Sequence, residues 1–178
     1  IFTGSSGNDT ITTSNGNDVL GGGGGDDTLN GGAGEDILYD GSGANTLNGG
    51  IGNDVLFGGD GCADILHGGE GNDDLYFGYY LGGAGMSGGS IDGGAGSDVL
   101  IMRANYDFSA TIFASVETLQ TNGWTATATA GQFQGFTTIE FNASNPGASV
   151  NLTLAAAGAV DLTTQLSGRS VLFNGSSG

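Results

Sequence analysis

Along the first hundred residues one aliphatic side chain returns at a fixed interval. Ile11, Leu20, Leu29, Leu38, Leu47 and Leu56 are nine residues apart, and Leu66, Leu75 and Leu100 resume the series after interruptions. Self-similarity at a short fixed period marks a repeat architecture. Written in nines from Gly4, the chain reads GSSGNDTIT, TSNGNDVLG, GGGGDDTLN, GGAGEDILY, DGSGANTLN and GGIGNDVLF. GGDGCADILH follows with one extra residue, then GGEGNDDLY from Gly68 and, after an irregular stretch, GGAGSDVLI from Gly93. The fourth position is glycine in every unit, from Gly7 to Gly96. The sixth is Asp9, Asp18, Asp27, Asp36, Asp54, Asp64, Asp73 and Asp98, with Asn45 as the exception.

Each unit predicts a turn and a strand. The glycine-rich half can reach positive φ and turn tightly. The other half, such as Asp54-Val55-Leu56, is too short for a helix and suits a strand of about three residues. Its aliphatic residue must face inward, and one unit cannot bury it alone. Stacked units make a continuous core. Two units would complete a coil with a strand on each side, and coils would stack about 4.8 Å apart as parallel strands. The expected fold is all-β, a parallel β-roll (a β-solenoid) over residues 4–101.

From Met102 the pattern changes. Glycine becomes sparse, and Thr, Ala, Val and Phe dominate. Strand-like pieces recur at Ile139-Glu140-Phe141, Val150-Asn151-Leu152, Val160-Asp161-Leu162 and Val171-Leu172-Phe173, so that alternate pieces lie 21 residues apart. Residues 102–178 are read as a second segment in which the solenoid continues with larger, metal-free coils, begun by Val116-Glu117-Thr118-Leu119. A Thr- and Ala-rich β-sandwich remains the alternative. No amphipathic helix is expected. Phe2–Gly7 resembles Phe173–Gly178, which fits either a module of a tandem array or coincidence in a Gly/Ser-rich chain.

Charge narrows the partners. The chain of 178 residues carries 19 acidic and 2 basic residues, for a formal net charge of -17. Residues 1–101 contain 31 of the 39 glycines and 15 of the acids, and neither arginine. Nucleic acid is excluded, because binding it requires basic residues to neutralise phosphate. An anionic membrane surface is disfavoured for the same reason, and no apolar run is long enough to insert into a bilayer. The lone Cys62 excludes an intramolecular disulfide. The chain begins at Ile1 and shows no signal-peptide pattern, so it reads as a soluble piece of a longer protein.

Cations are the natural counter-charge. Stacking places Asp18, Asp36, Asp54 and Asp73 in one ladder and Asp9, Asp27, Asn45 and Asp64 in the other. Like charges one strand apart repel. A hard cation between coils reverses the sign, because Ca²⁺ takes six to eight oxygens and turn carbonyls plus two Asp carboxylates can supply them. Thiolate and imidazole are nearly absent, which disfavours transition metals.

These units resemble the glycine- and aspartate-rich nonapeptides of the RTX family, the hemolysin-type calcium-binding repeats. The resemblance covers residues 4–101. It implies that the sixth-position residues, Asn45 and Asp98 included, bind calcium together with turn carbonyls such as those of Gly23, Gly25, Gly32, Gly34, Gly50 and Gly52. Adjacent pairs along the ladders suggest about six ions. Asn45, with Asp40 in place of glycine at the head of its unit, is expected to weaken calcium on either side. Ala63 is expected to bulge its turn. Asp74 occupies a usually aliphatic position, and Gly82, Gly83 and Gly85 keep a fragment of the lost repeat. Family members are exported by Gram-negative bacteria, commonly by type I secretion, and fold outside the cell.

No catalytic constellation stands out. His67 follows an inward leucine and has no partner for a triad, and the glycine clusters lack the lysine of a phosphate loop. Asp107, Glu117, Glu140 and Asp161 are placed at solvated strand edges. Trp124, Phe133 and Phe136 are placed in the core. The preferred reading is a non-enzymatic structural module of a secreted or surface-layer-like protein, with calcium as partner and self-assembly or glycan contact as further options. The alternatives are an accessory module of a secreted protease, lipase or epimerase, or a polysaccharide lyase-like helix using Arg103 with Asp107.

Overall fold

The computed structural model describes residues 1–59, 63–77, 88–103, 105–122, 124, 126–140, 151–154 and 172–174. Expectations for Cys62, Gly82, Gly83, Gly85, Val160-Asp161-Leu162, the Phe133 side chain and Gly175–Gly178 fall outside them.

The repeat folds as two facing parallel sheets. One begins with β1 (Phe2–Thr3), β3 (Val19–Gly24), β5 (Ile37–Ser42), β7 (Val55–Gly58), β9 (Asp74–Phe77) and β11 (Val99–Met102). The other contains β2 (Thr10–Thr12), β4 (Thr28–Ala33), β6 (Thr46–Ile51), β8 (Ile65–Glu70) and β10 (Ser90–Ala95). Leu20 pairs with Leu38, and Leu29 with Leu47, so one coil takes two units. The leucines from Leu20 to Leu75, with Ile91 and Leu100, are fully buried between the sheets. Each contributes on the order of 1.5–3 kcal/mol by leaving water.

Several strands are longer than the three residues expected. β4 and β6 run for six, through their glycines, and the pairing of Gly32 with Gly50 keeps the ladder intact there. Glycine is needed at such points for two reasons. Gly50 has φ +119°, and a Cβ on it would meet the carbonyl oxygen of Gly32 one coil earlier.

The solenoid continues past residue 102. β13 (Ile112–Ala114) extends the second sheet, and β14 (Thr118–Gln120) and β16 (Thr138–Glu140) extend the first. Leu119 pairs with Leu100 and with Ile139, in coils of about the expected size. A third parallel sheet comprises β12 (Tyr106–Asp107), β15 (Ala126–Ala128), β17 (Asn151–Leu154) and β18 (Leu172–Asn174). There Leu152 pairs with Phe173, the 21-residue spacing read from the sequence. Among the described residues of this segment the strands pair in parallel.

The core of this region is aromatic, with Phe77 edge-on to Tyr106 and Phe108, and Phe108 edge-on to Phe113. Two features differ from expectation. A short helix, α1 (Ala130–Gly135), is held by a capping box between Thr129 and Gln132. The Gln132 amide also donates to the carbonyls of Phe108 and Thr111, both at 2.7 Å. Its six residues are too few to show an amphipathic period. Trp124 is 42% exposed rather than core, whereas Phe136 is buried.

Candidate metal centres

Two edges of the roll carry the turns. On the first edge the turns 4–9, 22–27 and 40–45 lead from the first sheet to the second, and Gly59 and Asp64 stand at the two ends of the next connection, between β7 and β8. On the second edge the turns 13–18, 31–36, 49–54, 68–73 and 93–98 lead back. The coil period brings each sixth-position residue beside its equivalent one coil away, as the spacing requires.

Six of these residues, all aspartates, use their two carboxylate oxygens differently. On the second edge the backbone N–H groups of Asp18, Asp36, Asp54 and Asp73 donate to Oδ1 of Asp36, Asp54, Asp73 and Asp98, at 2.7–2.8 Å. On the first edge Asp9 donates to Asp27, Asp27 to Asn45 and Asn45 to Asp64, at 2.7–2.9 Å. The second oxygen, Oδ2, of Asp27, Asp36, Asp54, Asp64, Asp73 and Asp98 is buried without a hydrogen-bond partner. None of these six residues is more than 2% exposed. A buried unpaired carboxylate oxygen is costly unless something positive meets it.

Carbonyl oxygens converge where these atoms point. A Cβ built on Gly31 would lie 2.5 Å from Asp36 Oδ2 and 2.7 Å from the Gly49 carbonyl oxygen. Gly49, Gly68 and Gly93 repeat the arrangement with Asp54, Asp73 and Asp98. The first-position carbonyls thus join the orphan oxygens, a role that the sequence reading did not give them. The six carbonyls it named occupy the gap between coils: those of Gly23, Gly25, Gly32, Gly34, Gly50 and Gly52 each face the equivalent glycine of the next coil. All six glycines have positive φ, between 102° and 138°.

The electrostatics match the geometry. Burial, with the charge of Asp36 adding to it, pushes the Asp54 carboxyl up to about 6. Burial also brings Asp73 to about 6, with Asp54 and Asp98 contributing. Asp98 is raised by burial and then by Glu117. Asp9 is held low instead, by the backbone N–H and then the hydroxyl of Ser5.

Some placements differ from the sequence reading. Glu117 was expected at a solvated edge, but it is half-buried and its Oε2 accepts the Asp98 N–H at 2.9 Å, capping the second ladder. The signal was Glu117-Thr118-Leu119 standing 19 residues after Asp98-Val99-Leu100. Beside Ala63 the Asn45 N–H still reaches Asp64, and the turn that Ala63 was expected to bulge includes residues 60–62, outside the described residues. Arg103 lies over the Tyr76 ring at 4.8 Å, and the exposed Asp107 accepts from the Ser109 N–H. His67 is exposed on the outer face of β8.

The donor set suits a hard cation. Among the described residues no three of His, Cys, Asp and Glu gather around one point. Any ion would be held by one or two carboxylates completed by backbone carbonyls, an oxygen shell of the kind calcium accepts.

A family model, the RTX calcium-binding nonapeptide repeat, matches four times, over residues 3–38, 30–61, 63–78 and 90–104. Together these cover just over half of the chain. The chain belongs to this RTX repeat family. RTX repeats bind calcium, and the orphan oxygens on both edges of the roll fit that ion. The breaks between matches fall at the extra residue near Ala63 and at the irregular stretch before Ser90. No curated relative and no solved structure matches the chain.

Proposed function

We propose that this chain is a calcium-binding structural module of a secreted or cell-surface bacterial protein, without catalysis of its own, that folds outside the cell when calcium fills the gaps between its coils. The observation that carries this reading is the double file of buried, unpartnered Asp oxygens. The sixth-position residues, Asn45 included, act with the first-, second- and fourth-position carbonyls. Ions between successive rungs number about six per chain. In a calcium-poor cytosol the carboxylates repel and the repeat stays extended, which suits export as an unfolded chain by a type I route. A surface-layer-like role is favoured over an accessory role in a secreted enzyme by the Thr/Ala/Gly-rich, lysine-free composition.

Circular dichroism during calcium titration tests this. The expected result is a coil-to-β transition with a midpoint of about 10⁻⁴–10⁻³ M, and no transition with magnesium, which demands a tighter octahedron. Full β-structure in excess chelator at neutral pH would contradict it.

Glycan contact has one feature in its favour: a groove of about 460 Å³ on the outer face of the first sheet, lined by Tyr76, Arg103, Gln120 and Trp124 among others. Retarded migration in glycan-containing gels that Trp124→Ala abolishes would establish it. Unretarded migration of the wild type would dismiss it.

A further inference from the structure

The 40–45 turn departs from the repeat twice, and the two departures meet in space. At its sixth position Asn45 stands where the other units have aspartate. Its amide oxygen accepts the Asp27 N–H, so that the amide nitrogen takes the place of the orphan oxygen and donates to the Gly43 carbonyl at 3.2 Å. No anionic oxygen is left there for a cation. At the first position of the same unit, where other units have glycine or Thr13, stands Asp40. Its side chain is 2% exposed and turns toward the following coil. Oδ2 accepts the Gly59 N–H at 2.5 Å, and the carboxyl reaches that of Asp64. Asp64 is 1% exposed, and its Oδ2 has no hydrogen-bond partner. A Cβ on Gly59 would lie 2.5 Å from Asp40 Oδ1 and also meet the Gly41 carbonyl oxygen. Two carboxylates and a carbonyl therefore converge between the 40–45 turn and its successor one coil on, at Gly59 and Asp64. Residues 1–101 hold no Lys or Arg to neutralise them.

We infer that Asp40 is a cation ligand that replaces the carboxylate missing at Asn45. Calcium is held between these turns by the Asp40 and Asp64 side chains, so the first edge keeps an unbroken file of ions. This rests on the calcium reading above and reverses the expectation that the Asn45 unit weakens its neighbours. The charge is moved from the sixth position to the first and remains in the same gap.

The test is calcium stoichiometry by equilibrium dialysis on the whole chain. It compares wild type, Asp40→Asn, and the double variant Asp40→Gly/Asn45→Asp, which restores the regular unit. Asp40→Asn is expected to bind one ion fewer, with its folding midpoint moved several-fold to higher calcium. The double variant is expected to regain the ion. Should Asp40→Asn fail to fold in calcium, recovery of folding in the double variant supports the same exchange, and no recovery overturns it. Unchanged stoichiometry and midpoint in Asp40→Asn would show that the two carboxyls share only a proton, and would sink this inference alone. A wild type that binds no calcium would sink it together with the reading beneath it.

Discussion

At the scale of single residues, the sixth-position aspartate accepts a hydrogen bond from one neighbour and, in the function proposed above, serves as a calcium ligand toward the gap. Oδ1 accepts a backbone N–H, and such bonds to charged groups contribute about 1.5–3 kcal/mol. Oδ2 is left bare in the interior. Two ionised carboxylates about 4.8 Å apart repel by about 3–4 kcal/mol at an effective dielectric of 20. That is comparable to what one buried leucine per unit supplies, so in the proposed function a cation between coils decides whether the coil is stable. Glycine acts through space as much as through φ. Gly50→Ala places a Cβ against the Gly32 carbonyl at φ +119° and is expected to raise the calcium midpoint of folding severalfold or abolish folding. Gly131→Ala in α1 meets nothing within 4 Å and is expected to leave the midpoint unchanged or slightly lower it. Equal effects in the two titrations would refute the close-approach account. The aspartates and fourth-position glycines were legible in the sequence because they repeat. Asp40 was visible only as a departure from the repeat, and Glu117 only through its spacing from Asp98, because their partners come from where the coil places them.

At the scale of elements, the coil is set by its leucines. Leu56 is fully exchanged from water into the space between the sheets, whereas Phe57, the next residue, faces outward and stacks with Tyr39 at 4.6 Å and Tyr76 at 4.7 Å. Leu56→Ala is expected to cost about 2–5 kcal/mol, and Phe57→Ala about 0.5–1.5 kcal/mol for each stacked pair lost beyond its own burial. Urea unfolding at fixed saturating calcium measures both, and a larger loss for Phe57→Ala would invert the assigned faces. Inward and outward positions followed from the period, so the two-sheet roll was legible. Strand length was not, since glycine-rich segments look like turns, yet the ladder between Gly32 and Gly50 keeps them in the sheet. Beyond Met102 the 21-residue spacing pointed to a solenoid. It gave no sign of the third sheet or of α1, whose stability depends on the contacts of Gln132 with Phe108 and Thr111.

At the scale of the whole molecule, the proposed function couples folding to calcium through the charge of -17 and the buried carboxylates, and the same carboxylates couple it to protons. Asp54 and Asp73 titrate near 6 in the folded chain and Asp40 near 8, each above the usual aspartate value of about 3.9. Between those values the folded state binds more protons than the unfolded state, so stability falls as pH rises. In chelator, β-structure is expected to increase as pH is lowered from 8 toward 5. In calcium, the folding midpoint is expected to move to lower calcium over the same range, because protonation already favours the folded state, although each folded site then holds calcium more weakly. Dichroism at a series of pH values checks both, and a metal-free fold that is lost rather than gained toward pH 5 would contradict the sign. The most direct measurement is the anomalous scattering of calcium in crystals grown with excess calcium. Peaks are expected in two files, one along each edge, within about 2.3–2.6 Å of Oδ2 of Asp27, Asp36, Asp54, Asp64, Asp73 and Asp98. Empty gaps beside those oxygens, or ions bound only on the outer faces of the sheets, would contradict it.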